Sequence, residues 1–172
     1  LDDRAGCAAV ILAAQQLAGQ PLGCGVTVAL SSLEETGGQG AATAAARLAP
    51  THGIVVDVSF AQTPGVPRPK CGLLGSGPMV GYAPILDAAL SARLEQVAQE
   101  QQIPHQVEVM NGDTGTDADG IAAAGAGVKC ATISIPLRYM HSPVELVDLE
   151  DIRRTAQLVA AWAVAEFGGE GQ

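Results

Sequence analysis

Two kinds of apolar pattern alternate along this chain, and their alternation limits the folds that it can adopt. Apolar residues at helical spacing predict helices, whereas short β-branched runs between turn residues predict buried strands. The predicted helices span residues 4–18, 40–48, 85–98 and 152–163, and the predicted strands span residues 25–30, 53–58, 73–77, 106–110 and 129–135. Because this alternation is typical of layered α/β domains, we expect a three-layer α/β/α domain with a mainly parallel central sheet.

Turn and capping residues mark where several of these helices begin and end. Gly19 and Pro21 close the first helix, and Pro84 stands at the start of the third. Asp148 and Asp151 are placed to cap and charge the first turn of the last helix.

The composition favours one domain of closely packed small residues. At 172 residues the chain forms one domain by length, so residues 1–172 are treated as a single unit with a substantial core. Hydrophobic residues make up 48% of the chain, yet aromatic residues contribute only 3%. The net charge of -9 argues against nucleic acid or an anionic membrane as a partner, because both would be repelled. Bound divalent cations would offset part of this charge.

Cysteine usage and hydropathy predict a cytoplasmic protein. Cys7, Cys24, Cys71 and Cys130 lie far apart and form no C-x-x-C pair, so we expect reduced thiols rather than a zinc ribbon or disulfides. No apolar stretch reaches the roughly 20 residues that span a bilayer. The N-terminal residues also lack the charged and apolar segments of a signal peptide.

Acidic pairs and one histidine lie where predicted elements end, and together they suggest a metal site. An Asp-Asp pair precedes the first predicted helix, and a Glu-Glu pair follows the strand predicted at residues 25–30. One aspartate ends the next strand, and one histidine follows the last strand. Carboxylates and imidazole can hold metal ions, and one of two adjacent glutamates can bind while the other faces the attacking water. These residues are Asp2, Asp3, Glu34, Glu35, Asp57 and His141.

Each of these residues also has a simpler interpretation. Asp2 and Asp3 could cap the first helix, and the Glu-Glu pair could form a solvated acidic turn. Asp57 could be an ordinary turn residue at a strand end, and His141 a capping or core histidine. We prefer the metal site because one site explains all of them, whereas the simpler interpretations must each hold separately.

Two further motifs carry less weight. The Asp-Thr-Gly tripeptide at residues 113–115 matches the triplet of aspartic proteases, but such tripeptides are common. The segment 117–120 resembles part of a calcium loop, yet Gly115 and Ala126 occupy the positions of the first and last ligands. We assign no function to either motif.

Six short blocks occur in order through nearly the whole chain. They are Leu1-Asp2-Asp3-Arg4, Glu34-Glu35-Thr36-Gly37, Asp57-Val58, Gly75-Ser76-Gly77-Pro78, Thr116-Asp117-Ala118 and the run 134–145. In this order the blocks resemble the M42 family of metallo-aminopeptidases, which includes glutamyl and tetrahedral aminopeptidases. The run 134–145 is the most specific of the six.

This resemblance implies a zinc-peptidase fold of the phosphorylase/hydrolase-like type, and an enzyme that removes N-terminal residues from peptides with a metal-activated water. It implies two divalent ions, zinc, cobalt or manganese, because mixed carboxylate and imidazole ligands do not discriminate sharply among them. Asp2 would bridge both metals, commonly before a cis peptide bond. Glu35 and His141 would bind one metal, Asp57 the other, and Glu34 would be the general base.

The chain departs from the family pattern in two ways. Members of the family take one more histidine from a segment upstream of the bridging aspartate, and they insert a small β-rich dimerisation domain; neither is present in residues 1–172. We therefore expect an incomplete catalytic domain that holds one metal or none. Asp2 is expected to fray at the chain terminus. The complete enzyme is expected to form a homo-oligomer.

Two alternatives stay open. A non-catalytic metal-binding or assembly domain would explain the missing histidine, although no structural role requires Glu34. A glycan hydrolase of the endoglucanase type, to which some relatives have been assigned, could use two carboxylates, but His141 would then have no role.

Overall fold

The computed structural model describes residues 1–169, the side chain of Lys70 excepted, and contains one five-stranded sheet flanked by helices. The strands are β1 (His52–Phe60), β2 (Met79–Tyr82), β3 (Gln106–Val109), β4 (Lys129–Arg138) and β5 (Leu146–Val147). The helices are α1 (Arg4–Leu17), α2 (Gln39–Leu48), α3 (Ala88–Glu100), α4 (Asp117–Ala122) and α5 (Leu149–Phe167). The strand order is β1-β4-β2-β3, with β5 paired to β4.

Most of the strand pairing is parallel. β1 runs parallel to β4 along its whole length, and β2 runs parallel to β3. β2 and β5 each pair with β4 in the antiparallel direction over two residues. The expected α/β fold with a mostly parallel central sheet is therefore confirmed.

Strand β4 lies at the centre of the core because it is covered on both faces. Ile135 and Leu137 are fully buried against α1 and α5. On the opposite face Cys130 packs with Val55 of β1 and Ala118 of α4. Helices thus cover both faces of the sheet, and the small side chains let them approach closely.

Helices α1, α3 and α5 begin where aspartate side chains can cap them. Asp3 caps α1, as one of the simpler interpretations predicted. Helix α3 begins at Ala88 rather than at Pro84, because Asp87 accepts the N–H of Leu90 at 2.9 Å and so fixes the first turn. The predicted start of this helix was wrong by one short turn.

Residues 73–77 form a turn, so the short strand predicted there is wrong. Gly75 and Gly77 have positive φ values of 74° and 94°, which end an extended run. Their N–H groups donate to the buried carboxylate of Asp151 at 2.7 and 2.8 Å. Asp151 therefore holds this turn, and Asp148 alone caps α5.

The strand predicted at residues 25–30 is also wrong. This segment is exposed, and none of its backbone groups bonds to another residue in the range 1–169. A strand requires a neighbour, and the sheet edge at β1 does not reach this segment. The β-branched residues give the segment strand propensity without a partner to pair with.

All four cysteines fall in the described part of the chain and are free. Cys130 is buried in the core, whereas Cys24 is exposed. Within residues 1–169 no helix combines the length and the apolar character needed to cross a membrane.

Candidate metal centre

Three side chains from distant parts of the sequence meet beyond the carboxyl end of β4. Nε2 of His141 lies 3.1 Å from Oδ2 of Asp2 and 3.3 Å from Oε2 of Glu35. One ligand atom from each residue lies within 4.8 Å of the other two. Asp2 is partly buried, while Glu35 and His141 are exposed. The three residues therefore form a shallow, open group with the geometry to share one cation.

Tight turns present the glutamate and the histidine. Glu34–Thr36 forms one turn of 3₁₀ helix between Leu33 and Gly37, which have φ values of 66° and 124°. His141 follows β4 in a loop and has a φ of 59°. Positive φ is uncommon for residues other than glycine, and it often occurs where a loop must aim a functional side chain.

A single carboxylate connects the chain start to the histidine loop. Glu145 accepts the N–H of Asp2 at 3.1 Å through Oε2 and the N–H of His141 at 3.1 Å through Oε1. The amino group of Leu1 also pairs with this carboxylate, and it lowers the pKa of Glu145. Asp2, which precedes a cis peptide bond to Asp3, is thus tied to the fold rather than frayed.

Asp57 and Asp3 lie beside the three-residue group; Asp57 is buried and Asp3 is partly buried. Burial and the charge of Asp3 raise the pKa of Asp57 to about 8. Burial also raises the pKa of Asp3 to about 7, although its bond from the N–H of Gly6 opposes the shift. Asp57 accepts the N–H of Val58 at 2.7 Å and is not one of the three grouped ligands. The structure thus places Asp57 next to the group but not within it.

Glu34 lies at the edge of the same acidic region. Burial raises its pKa, and the charges of Glu35 and Asp117 raise it further, while His141 acts in the opposite direction. A carboxylate with a raised pKa is a stronger proton acceptor, because the ideal base has a pKa near the working pH. The side chain therefore has the electrostatic character of a general base.

No described cation of the protein neutralises these carboxylates. Among residues 1–169, the side chain of Lys70 excepted, no arginine or lysine forms an ion pair with Asp2, Glu34, Glu35 or Asp57. Carboxylates held this close are unfavourable unless a positive charge lies among them. A donor set of carboxylates and one imidazole suits divalent transition metals. For the described residues, the only group of three or more ligands is Asp2, Glu35 and His141, so the fit is better for one ion than for two.

Two polar residues near the site have roles that sequence reasoning missed. Glu145 received no role, although it lies four residues after the histidine and can therefore reach back to the same loop. Asp117 is buried and accepts a hydrogen bond from the Ser31 hydroxyl, which connects α4 to the segment before Glu34. Their partners lie far away in sequence, and no local pattern indicates them.

The Asp-Thr-Gly tripeptide belongs to a structural turn. The carboxylate of Asp119 accepts N–H groups from Thr114 and Gly115 at 2.9 and 3.0 Å and the Thr114 hydroxyl at 2.8 Å. Asp119 therefore closes the loop that leads into α4. This arrangement accounts for both weaker motifs without a protease triplet or a calcium site.

Comparison with known proteins gives a family. The model of the M42 glutamyl aminopeptidase family matches residues 1–158. The lysyl aminopeptidase of Pyrococcus furiosus is 38% identical over 161 residues, which cover 94% of this chain and 46% of that protein. The chain therefore spans about half the length of this curated relative.

Solved structures agree with this match. A TET aminopeptidase from a marine-sediment Thaumarchaeota archaeon superposes with a TM-score of 0.86 and 30% identity, covering 93% of this chain and 46% of that one. The TET1 peptidase of Pyrococcus horikoshii, which can assemble into a tetrahedron or a large octahedral shell, gives a TM-score of 0.78 and 29% identity. That comparison covers 95% of this chain and 48% of the other. On the strength of the family match over residues 1–158, this chain belongs to the M42 glutamyl aminopeptidase family.

Proposed function

We propose that this chain is the larger part of the catalytic domain of a metal-dependent aminopeptidase. The observation that carries the proposal is the meeting of Asp2, Glu35 and His141 beside Glu34. Membership of the M42 family and the aminopeptidase names of its relatives support this activity. The substrates would be peptides with a free N-terminus, cut after their first residue.

The residues would divide the work of hydrolysis. Asp2, Glu35 and His141 would hold one divalent ion, and Asp57 would contribute to a second together with Asp2. A bound ion of zinc, cobalt or manganese supplies Lewis acidity and lowers the pKa of water from 15.7 toward about 7. Glu34 would accept the proton of the attacking water and pass it to the leaving amine.

Substrate access follows from the exposure of the three-residue group. Glu35 and His141 are exposed, so a peptide end could approach them without a change in the fold. Glu145 would hold His141 and Asp2 in fixed positions relative to each other while substrate enters, because its carboxylate accepts the backbone N–H groups of both. The side chain of Glu145 would therefore position the site without touching substrate.

The complete protein would be larger than this chain and would assemble from several copies. The matched part is about half of the curated relative, so activity would need polypeptide beyond residues 1–172. The TET1 peptidase of Pyrococcus horikoshii can assemble into a tetrahedron or a large octahedral shell, and we propose a homo-oligomer for the complete form of this protein as well.

The test uses a chimaera in which the uncovered part of the Pyrococcus furiosus lysyl aminopeptidase completes this chain. With cobalt, zinc or manganese the chimaera should cleave aminoacyl-nitroanilides, and a chelator should stop the cleavage. Glu34→Gln should keep the metal and lose about a hundredfold or more in kcat, because loss of a general base typically costs that much.

Two further variants test the roles assigned to Glu34 and Glu35. Glu150→Gln changes a partly exposed glutamate of a surface ion pair on α5 and should leave kcat unchanged. Glu35→Gln should reduce the metal content, which can be measured by atomic emission after gel filtration. If Glu34→Gln empties the site while Glu35→Gln spares it, the two roles are reversed.

A chimaera that binds metal but cleaves no peptide would favour a non-catalytic metal-binding domain.

A further inference from the structure

The turn that carries Glu34 and Glu35 has few contacts of its own. It is a single turn of 3₁₀ helix, and the N–H of Gly38 closes it by donating to the carbonyl of Leu33 at 2.8 Å. No residue from 31 to 37 is buried, so no core side chain anchors the turn. Its position relative to the sheet therefore depends on polar contacts with other elements.

Only two polar side-chain contacts join residues 31–40 to other elements in the described part of the chain. One is the pair of Glu35 with His141, which belongs to the metal group itself. The other is the hydrogen bond that the Ser31 hydroxyl donates to Oδ2 of Asp117. The contact with Asp117 is therefore the one attachment of this turn that involves no proposed metal ligand.

Asp117 does not cap the helix that it begins. The hydroxyl of Thr116 caps α4 by accepting the N–H of Ala118 at 3.1 Å. The carboxylate of Asp117 accepts no N–H of its own helix, and its Oδ1 has no partner among the described residues, yet Asp117 is only 8% exposed. A buried carboxylate with so few bonds is unfavourable, which indicates a role outside α4.

The carboxylate of Asp117 lies between the two ends of the turn. Its Oδ2 binds Ser31 before the turn, and its Oδ1 lies 3.1 Å from the position that a Cβ atom would take on Gly38 after the turn. Gly38 has a φ of 70°, and its lack of a side chain lets the carboxylate come this close. Ser31, Glu34 and Asp117 also line the same cleft. One carboxylate thus contacts both ends of the turn.

Helix α4 is a well-attached base for this contact. Ala118 is fully buried and packs with Val55 of β1 and Cys130 of β4, the two strands next to the metal group. Gly120 lies against α2, where a Cβ atom on it would be 3.1 Å from the Cβ of Ala42. Because α4 is packed on both the sheet and α2, Asp117 has a fixed position relative to the site.

We propose that Asp117 is a positioning residue for the peptidase site. It fixes the turn at Ser31 and Gly38, and so holds the general base and the metal ligand of that turn in place. The proposal rests on the proposed function, in which Glu34 is the general base. Asp117 touches neither substrate nor metal, yet its loss should slow turnover, because a displacement of about 1 Å can cost about 100-fold in rate.

Hydrogen exchange in the 172-residue chain tests whether Asp117 fixes the turn, without metal or substrate. In Asp117→Ala, exchange of the Gly38 N–H should accelerate about 10-fold or more, because a hydrogen bond to a charged group contributes enough free energy to shift local opening by that factor. Asp117→Asn keeps an acceptor for Ser31 and should keep most of the protection. Asp87→Ala removes the cap of α3 and should leave exchange at Gly38 unchanged.

The effect on catalysis is measured in the chimaera with the Pyrococcus furiosus enzyme. At saturating cobalt, Asp117→Ala should lower kcat about 10- to 100-fold and keep KM within about twofold, because it displaces the base without removing a substrate contact. Asp117→Asn should recover most of kcat. Ser31→Ala removes the same bond from an exposed position, so it should lower kcat similarly without disturbing the core. The double variant Ser31→Ala/Asp117→Ala should lose no more than Asp117→Ala alone.

Asp87→Ala also separates positioning from stability in the chimaera, since loss of a helix cap should destabilise the fold and leave kcat unchanged. Three results would overturn the proposal. They are a kcat of Asp117→Ala within about twofold of the wild type, an equal loss in Asp117→Asn and Asp117→Ala, and unchanged exchange at Gly38 in Asp117→Ala. An inactive wild-type chimaera would instead contradict the proposed function, and exchange at Gly38 would still decide whether Asp117 fixes the turn.

Discussion

At the scale of single residues, the main feature is a set of carboxylates held close together without a cation from the protein. Asp57 shows the consequence most clearly, because burial and the charge of Asp3 raise its pKa to about 8. An acid whose pKa is higher in the folded state binds more protons there than in the unfolded state. The free energy of unfolding of the metal-free chain should therefore fall as pH rises.

Replacement of Asp57 by asparagine should reduce this pH dependence. The asparagine keeps an oxygen for the N–H of Val58 but carries no charge. The metal-free wild type should be less stable at pH 8 than at pH 5. In this range Asp57 has already lost its proton in the unfolded chain, where its pKa is the ordinary 3.8, whereas the folded chain holds the proton until the pH approaches about 8. Asp57→Asn should remove a difference on the order of a few kcal/mol, because one pKa unit corresponds to about 1.4 kcal/mol. Urea unfolding in the presence of a chelator measures the effect.

A matched variant tests whether the effect is local. Asp113→Asn removes one exposed carboxylate outside the acidic region and should leave the pH dependence as it is. Equal slopes in the wild type and in Asp57→Asn would show that Asp57 does not retain its proton in the folded chain.

Glu145 is a second residue whose replacement has a specific expected result. It binds backbone groups next to two of the three grouped ligands, so Glu145→Ala should loosen both Asp2 and His141. Loss of such a supporting residue typically lowers metal affinity 10- to 100-fold. Competition for zinc with a chromophoric chelator measures this change. Glu150→Ala, on the exposed face of α5, serves as the control, and equal affinity of both variants would contradict the positioning role.

At the scale of elements, tertiary contacts decide what local sequence leaves open. Helices α1, α2 and α5 follow from apolar spacing and from capping residues, and their predicted bounds were close to those observed. Strand β2 has only four residues, and α4 only six, so neither gives a pattern long enough to recognise. At residues 25–30 the error was the opposite, since a strand was predicted where none forms. High β propensity alone does not form a strand when no neighbouring strand is available to pair with it.

Asp151 offers a prediction at this scale, since it joins α5 to the turn at residues 73–77. Its buried carboxylate accepts two backbone N–H groups, and Asp151→Ala would leave both without a partner. The expected loss is about 3–6 kcal/mol of unfolding free energy, because each of the two hydrogen bonds to this carboxylate contributes about 1.5–3 kcal/mol. Asp148→Ala removes only a helix cap and should cost about 1 kcal/mol. Chemical denaturation compares the two, and a smaller loss for Asp151→Ala would contradict this role.

At the scale of the whole molecule, the sheet brings together ligands that the sequence spreads over 140 positions, from Asp2 to His141. Their types and their places at turns could be predicted, because strand ends and adjacent acidic residues are visible in sequence. The contribution of Glu145 could not, since it depends on a loop that folds back onto the first residues. The edge of β1 at Ile54 and Val56, with which no other residue of the range 1–169 pairs, was equally hidden, because it is defined by the strand order.

The last prediction concerns the 172-residue chain by itself, which should fold but show negligible aminopeptidase activity. Folding is expected because β4 and the helices on both sides already form a continuous buried core. Activity is expected to be negligible because, among residues 1–169, only one group of three ligands is present, and the proposed mechanism needs two ions. Calorimetric titration with zinc should therefore show at most one site tighter than micromolar. Chelator-sensitive cleavage of aminoacyl-nitroanilides by the purified chain, abolished by Glu34→Gln, would contradict this and would mean that other groups in the chain complete the second site.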